Sequence, residues 1–326
     1  MEAARIEDSV KMKNRNRQSG FTLLETMLAM AIYVVIASIV MSGMIQMLRT
    51  QGTIANRTEM HTSVRSATEL LQQEIGQAGR VSLPNTTAFG GGVTMTGPVA
   101  VGVQTATVSS SSGMFVGLLL DVDTGASFEV VALTAVAGNT ITANFLNPHA
   151  GASIPVMVSG SFGTGIVPPA AAPTNYPNGS TATVLKLYGD INRDGKVLYI
   201  EYTCAPGTTT APGYLYRNQM SFTVAAKPAL DPSMYLLTNV LSNPGNTPCF
   251  TYQVQQANGL SFVTDVAVTL TVQTPLKDPK TNAFQWETKA LLNISPRNVF
   301  YVWELYSINQ VPRNQPIPAS VVTLLP

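Results

Sequence analysis

Residues 11–48 read KMKNRNRQSG FTLLETMLAM AIYVVIASIV MSGMIQML, and this stretch decides the architecture. Lys11, Lys13, Arg15 and Arg17 form a basic cluster with no acid inside it, closed by Gln18, Ser19 and Gly20. From Phe21 to Leu48 the only charged side chain is Glu25. As a helix these residues would extend about 42 Å, enough to cross a hydrocarbon core of about 30 Å. Positive charge ahead of the apolar run places the N-terminus on the cytoplasmic side and the remainder beyond the membrane. A cleaved secretory signal would carry a shorter apolar core with small residues after it. Here the small residue, Gly20, stands before the run.

The order basic leader, Gly20-Phe21, Glu25 and unbroken apolar helix resembles the class III signal of type IV pilins and pseudopilins, whose motif is present as Gly20 to Glu25. The resemblance implies a leader 1–20, cleavage after Gly20 by a prepilin peptidase, N-methylation of Phe21, and an apolar helix kept in the mature chain. It gives Glu25 a partner, the freed α-amino group of Phe21 on a neighbouring subunit. A carboxylate in a membrane-spanning helix is costly enough that it is normally found paired. A Glu25 side chain reaching the cytoplasmic headgroups is the bland alternative.

Beyond Arg49 the pattern becomes amphipathic. Val64, Ala67, Leu71, Ile75 and Ala78 fall on one helical face, with Arg57, Glu59, Arg65, Glu69 and Glu74 expected to decorate the rest. Gly79 and Pro84 close the pattern. The expectation is one long spine over 21–80, with its transmembrane segment at about 21–48.

Past Pro84 helical periodicity gives way to short Val-, Thr-, Tyr- and Leu-rich runs separated by Gly, Pro, Ser and Asn, which read as strands. The fold class is therefore α+β, a helical spine carrying a large β-rich head. Gly90-Gly91-Gly92 and Ser109 to Gly113 read as joints, and a small β-rich unit is expected over 81–167. The Pro168 to Pro173 stretch reads as a linker to a main head over 168–326. In the small unit strands are expected at 114–120, 127–135, 140–145 and 154–159. In the main head they are expected at 183–188, 196–203, 214–217, 220–224, 250–255, 261–274 and 298–306. Phe262, Val266, Val268, Leu270 and Val272 would share one buried face. Pro312, Pro316 and Pro318 point to an extended tail. Spine plus large head is similar to the PilW/PulJ-like class of large minor pilins.

The chain of 326 residues has 45% hydrophobic and 11% charged residues with net charge +1, which argues against nucleic-acid binding through a broad basic surface. Two cysteines, Cys204 and Cys249, lie beyond the membrane. A disulfide is expected rather than a zinc site, because two thiolates without a nearby histidine cannot close a tetrahedral shell; two free buried thiols are the alternative. Asp190, Asn192, Asp194 and Gly195 match the first half of a calcium loop, with Glu201 at its twelfth position. If a strand starts at Val197, Glu201 lies about 13 Å along it, too far to bend back. Candidate calcium ligands are therefore Asp190, Asn192, Asp194 and the Lys196 carbonyl, against a plain polar turn. His61 and His149 show no carboxylate or cysteine partner in sequence, and Asp121 and Asp123 read as solvated strand-end charges. No catalytic motif is found, so no enzyme is expected.

The resemblance implies a minor pilin that helps initiate or cap a type IV pilus. Its partners would be other pilins or pseudopilins, the prepilin peptidase and an inner-membrane assembly platform. The chain would span the inner membrane once before assembly and sit in the pilus or pseudopilus afterwards. A type II secretion pseudopilin and a membrane-anchored binding module or adhesin are the alternatives.

Overall fold

The structure is a computed structural model that describes residues 20–84, 92–170, 176 and 178–326. It divides into two compact units at the Ile54–Ala55 junction. The leader up to Ser19, Gly90-Gly91 of the first joint and the second half of the linker lie outside the described residues.

Among the described residues the first unit is the opening part of α1 (Leu23–Gln77), preceded by the non-helical Gly20, Phe21 and Thr22. Its side chains from Phe21 to Leu48 are exposed throughout. In a water-soluble protein so continuous an apolar surface would be covered, so this one calls for lipid or other subunits.

The second unit, from Ala55 on, is built around the remainder of α1. Met60, Val64, Ala67, Leu71 and Ile75, with Ala78 just past the helix, are buried in a core formed with a seven-stranded antiparallel sheet. The sheet runs β11 (Phe250–Ala257), β12 (Leu260–Gln273), β10 (Tyr235–Leu241), β9 (Gly213–Ser221), β8 (Leu198–Ala205), β7 (Val184–Gly189), with β13 (Trp286–Ile294) also on β12. Leu71 and Ile75 are wholly inaccessible to solvent; each contributes about 1.5–3 kcal/mol by burial. The sheet curls until its far strands meet. Phe250 N–H donates to the Ala182 carbonyl at 3.0 Å, and Tyr252 Oη donates to the Thr181 and Val184 carbonyls at 2.9 and 3.2 Å. The Cys204–Cys249 disulfide closes the same seam. Crosslinking a loop of this size stabilises by about 4 kcal/mol in the chain-entropy picture.

Glu74, expected among the solvated decorations, is 3% exposed. Its carboxylate takes hydrogen bonds from Arg217 Nε at 3.2 and 3.1 Å, from Arg217 Nη2 and from Tyr202 Oη. Tyr202 and Arg217 are register partners on β8 and β9, so one carboxylate bolts α1 to two neighbouring strands. Burial pulls the Arg217 pKa down, and the hydrogen bonds and charge of Glu74 outweigh it, leaving the pKa raised. Burial and the Glu74 charge together raise that of the Tyr202 phenol.

Gly79 ends the helix in the left-handed region, with φ +79°. A Cβ there would stand 2.5 Å from the Phe162 carbonyl oxygen. The chain then enters a second sheet, in the order β1 (Val93–Met95), β6 (Ile154–Val158), β3 (Leu119–Val122), β4 (Glu129–Ala137), β5 (Thr140–Phe145), β2 (Gly102–Thr107). Its outer strands join through the Met95–Val108 bridge and through Thr96 N–H to the Thr107 carbonyl at 2.9 Å. The result is a small closed barrel, filled by Met95, Leu118, Leu120, Val122, Ile141, Phe145 and others. Closure removes the free edges that β2 and β1 would otherwise present there. Between Arg80 and Lys186 the sequence has no Lys or Arg.

Several expectations change. Residues 298–306 are not a strand but lie in helix α2 (Arg297–Ser307), whose Val299 and Val302 are buried three residues apart. The β-branched and aromatic content suggested a strand, whereas the i, i+3 burial gives the helical period. The runs at 214–217 and 220–224 are largely one strand, β9. Within it the buried Asn218 donates Nδ2 to the Pro228 carbonyl at 3.0 Å. Strands β1, β2, β10 and β13 were not foreseen. The tail is not simply extended: α3 (Ala319–Leu324) follows Pro318, and Val321, Leu324 and Leu325 complete the barrel-side core. Lys186 Nζ fixes that tail by donating to the Leu325 carbonyl and, at 3.0 Å, to that of Asn178.

Replacing Glu74 by Ala strands the Arg217 guanidinium. It should lower the unfolding free energy by about 3 kcal/mol or more in a denaturant titration of the detergent-solubilised chain. Glu69→Ala, which removes only an exposed partner of Arg65, should change it by less than about 1 kcal/mol.

Candidate functional site

Gly20 and Phe21 precede α1 in an exposed, non-helical segment. Thr22 and Glu25 then form a reciprocal cap. The Glu25 amide donates to Thr22 Oγ1 at 3.3 Å, and Glu25 Oε2 accepts from the Thr22 amide and hydroxyl, each at 3.2 Å. This is a capping box, in which a threonine and the acid three residues later satisfy helix-terminal donors in turn. Thr22 escaped the sequence reading, although the Thr-x-x-Glu spacing carries the signal. The box gives Glu25 hydrogen-bond donors within its own chain, which lowers the cost of holding a carboxylate beside a hydrocarbon phase. It also fixes the carboxylate within one turn of Phe21, beside the position where cleavage after Gly20 would leave an amine.

From Leu23 the helix is long and apolar enough to cross a membrane, with mean hydropathy 2.3 in its best window and none of that window buried inside the protein. This fits a single-pass inner-membrane anchor.

The calcium candidates lie in the β7–β8 hairpin. Asp190 is fully buried. Its Oδ1 accepts from the Asp194 amide at 3.0 Å; its Oδ2 accepts from the Gly195 amide at 3.2 Å and from Ser82 Oγ. Asp194 Oδ1 accepts from the Lys196 amide at 3.0 Å. Asn192 is exposed. Glu201 points elsewhere, accepting from Tyr199 Oη at 2.9 Å and Lys227 Nζ at 3.0 Å. Thus Asp190 and Asp194 share a loop, but their oxygens serve main-chain donors in the manner of aspartate turns. Among the described residues no group of three or more His, Cys, Asp or Glu side chains is placed to hold a metal.

The barrel holds a cluster that sequence reading missed. His149 is buried, with Nδ1 2.9 Å from Asp123 Oδ2 and Nε2 2.8 Å from Glu129 Oε1. Glu129 also accepts from the Leu146 and Asn147 amides at 2.7 and 3.1 Å. The partners lie 26 and 20 residues from His149 in sequence, so no local spacing announced them. The hydrogen bond from His149, helped by the Thr124 amide, holds the Asp123 carboxyl below its ordinary range. Its stabilising effect is therefore present above the usual carboxylate pKa and lost as pH falls through the lowered value. Asp121, also read as solvated, is buried against Arg313 Nη1 at 2.6 Å. His61, on α1, lies 2.7 Å from Glu287. The His149 cluster pins the loop that carries it to the barrel.

Residues 15–45 match the prokaryotic N-terminal methylation motif. The match spans Gly20, Phe21 and Glu25 and supports a type IV pilin-like protein, a structural rather than catalytic class. No curated protein and no solved structure matches the chain.

The geometry of the Asp190 loop gives a direct expectation. The melting temperature of the detergent-solubilised chain should be the same in millimolar calcium as in chelator, because protein donors already occupy the carboxylate. A rise of several degrees with calcium would show instead that a cation displaces them.

Proposed function

We propose that the chain is a minor pilin of a type IV pilus, cut after Gly20 and N-methylated on Phe21 by a prepilin peptidase. The observation that carries this reading is the methylation motif continuous with an exposed apolar helix capped by Thr22 and Glu25. Before assembly the apolar half of α1 anchors the chain in the inner membrane with its head exported. On assembly by the inner-membrane platform, that half leaves lipid for a bundle of other pilins. Glu25 then exchanges the Thr22 donors for the amine of a neighbouring subunit, which sets axial register. The head, a curled sheet plus a closed barrel, is bulky for dense repetition along a thin fibre, which favours a few copies that initiate or cap it. A type II secretion pseudopilin uses the same N-terminal features and is the second reading.

Glu25→Leu should leave the chain in the membrane fraction and remove it from sheared surface filaments, with several-fold loss of piliation. Equal recovery of Glu25→Leu and wild type in sheared filaments would refute the register role. Normal piliation combined with lost protein secretion in a deletion strain would favour the pseudopilin.

A further inference from the structure

The seven-stranded sheet wraps α1 incompletely, and its last strand is open. Thr274 N–H donates to the Gln285 carbonyl at 2.7 Å, and antiparallel pairs alternate between bonded and non-bonded. In the register that continues from it, Trp286, Thr288 and Ala290 therefore turn their N–H and C=O groups away from β12. Among the described residues β13 pairs with no strand but β12. Trp286 is 59% exposed.

Beside this edge runs a groove against α1, in two parts of about 400 and 550 Å³ that share Glu69 and Gln72 in their walls. Glu287, Lys289 and Leu291 line one side and Arg65, Glu69 and Gln72 the other; the groove continues to Gly76 and Arg297. Arg65, Glu69, Gln72 and Gly76 recur at helical spacing on the flank of α1 beside the buried face of Leu71 and Ile75. The next place in the curling sheet therefore lies along this stripe. Gly76 is unexplained by the chain itself: a Cβ there would touch nothing within 4 Å, yet glycine inside a helix costs about 1 kcal/mol relative to alanine. It makes sense if another backbone passes close.

Charge selects the occupant. Glu69 is paired with Arg65 at 2.7 Å, and Glu287 lies 2.7 Å from His61, an ion pair only when that histidine is protonated. Lys289 and Arg297 form no ion pair among the described residues, and with histidine neutral Arg65, Lys289 and Arg297 outnumber Glu69 and Glu287 along the groove, so its unspent charge is positive.

We propose that β13 is a docking edge for an extended acidic peptide segment of another protein, which adds as a strand and lies in the α1 groove. Main-chain groups of Trp286, Thr288 and Ala290 supply the ladder, and Lys289 and Arg297 meet its acids. This reading is independent of cleavage at Gly20.

The probe is acetyl-(Thr-Glu)4-amide, compared with acetyl-(Thr-Lys)4-amide, on the full detergent-solubilised chain. The acidic peptide should bind about ten-fold or more tightly than the basic one and slow hydrogen exchange at Trp286, Thr288 and Ala290. Amides of Glu287 and Lys289, already bonded to β12, should change little. Lys289→Glu with Arg297→Glu should weaken binding about ten-fold. Ala290→Pro, which deletes an outward amide only, should abolish it with the melting temperature nearly unchanged; if that variant unfolds, Thr288→Pro serves in its place. Equal binding of both peptides, no binding, or no protection along β13 would overturn the proposal. Protection that appears without peptide and rises with protein concentration would overturn it in favour of a second copy of the chain.

Discussion

The large sheet of the second unit is organised by the buried face of α1 from Met60 to Ile75. A helix with one apolar stripe must cover it, and the sheet does so by curling around it until β11 returns to β7. Glu74 turns that packing into a fixed register. An apolar face alone would allow the helix to slide by a turn, because Val64, Leu71 and Ile75 are similar in size and repeat at helical spacing. A buried carboxylate that must meet Arg217 and Tyr202 allows one position. The desolvation of three polar groups is offset only when all their bonds form, which is the condition for specificity rather than for raw stability.

The rest of the head follows the same rule of internal satisfaction. The barrel contributes three acids and one histidine between Arg80 and Lys186, and each acid is paired: Asp121 with Arg313, Asp123 and Glu129 with His149. Among the described residues its outer surface carries hydroxyl and amide groups together with exposed apolar side chains such as Val103, Leu146 and Met157. Two ties, one covalent and one hydrogen-bonded, secure the far ends of the head. The disulfide holds the seam of the large sheet, and Lys186 holds the tail helix against the barrel-side core. Burial lowers the pKa of that lysine, as expected of an ammonium taken out of water.

The parts legible in the sequence are those governed by local pattern. Gly20 to Glu25 and the run to Leu48 announce the anchor, and the Val64 to Ala78 spacing gives the buried face. The alternation Phe262, Val266, Val268, Leu270 and Val272 gives the central strand, and these five side chains are buried. The expected strands at 127–135 and 140–145 appear as β4 and β5, and the two cysteines are bonded. What stayed hidden depends on partners distant in sequence. Glu74 looks like any surface acid until Arg217 arrives 143 residues later, and His149 looks solitary until β3 and β4 bring it two carboxylates. Helix α2 was misread because valine, phenylalanine, tyrosine and tryptophan favour strands intrinsically, while tertiary packing decided otherwise. The edge at β13 could not be seen at all, since Trp286 to Ile294 mixes charge and apolar residues with no clean period.

The central claim is that one helix, made N-terminal by a cut after Gly20, serves first as anchor and then as assembly element. Mass spectrometry of the N-terminal peptide from cells with and without prepilin peptidase tests it most directly. The account predicts a peptide beginning with methylated Phe21 that vanishes when the peptidase is absent. An intact Met1 leader in both strains would contradict it and leave a membrane-anchored surface module as the better description.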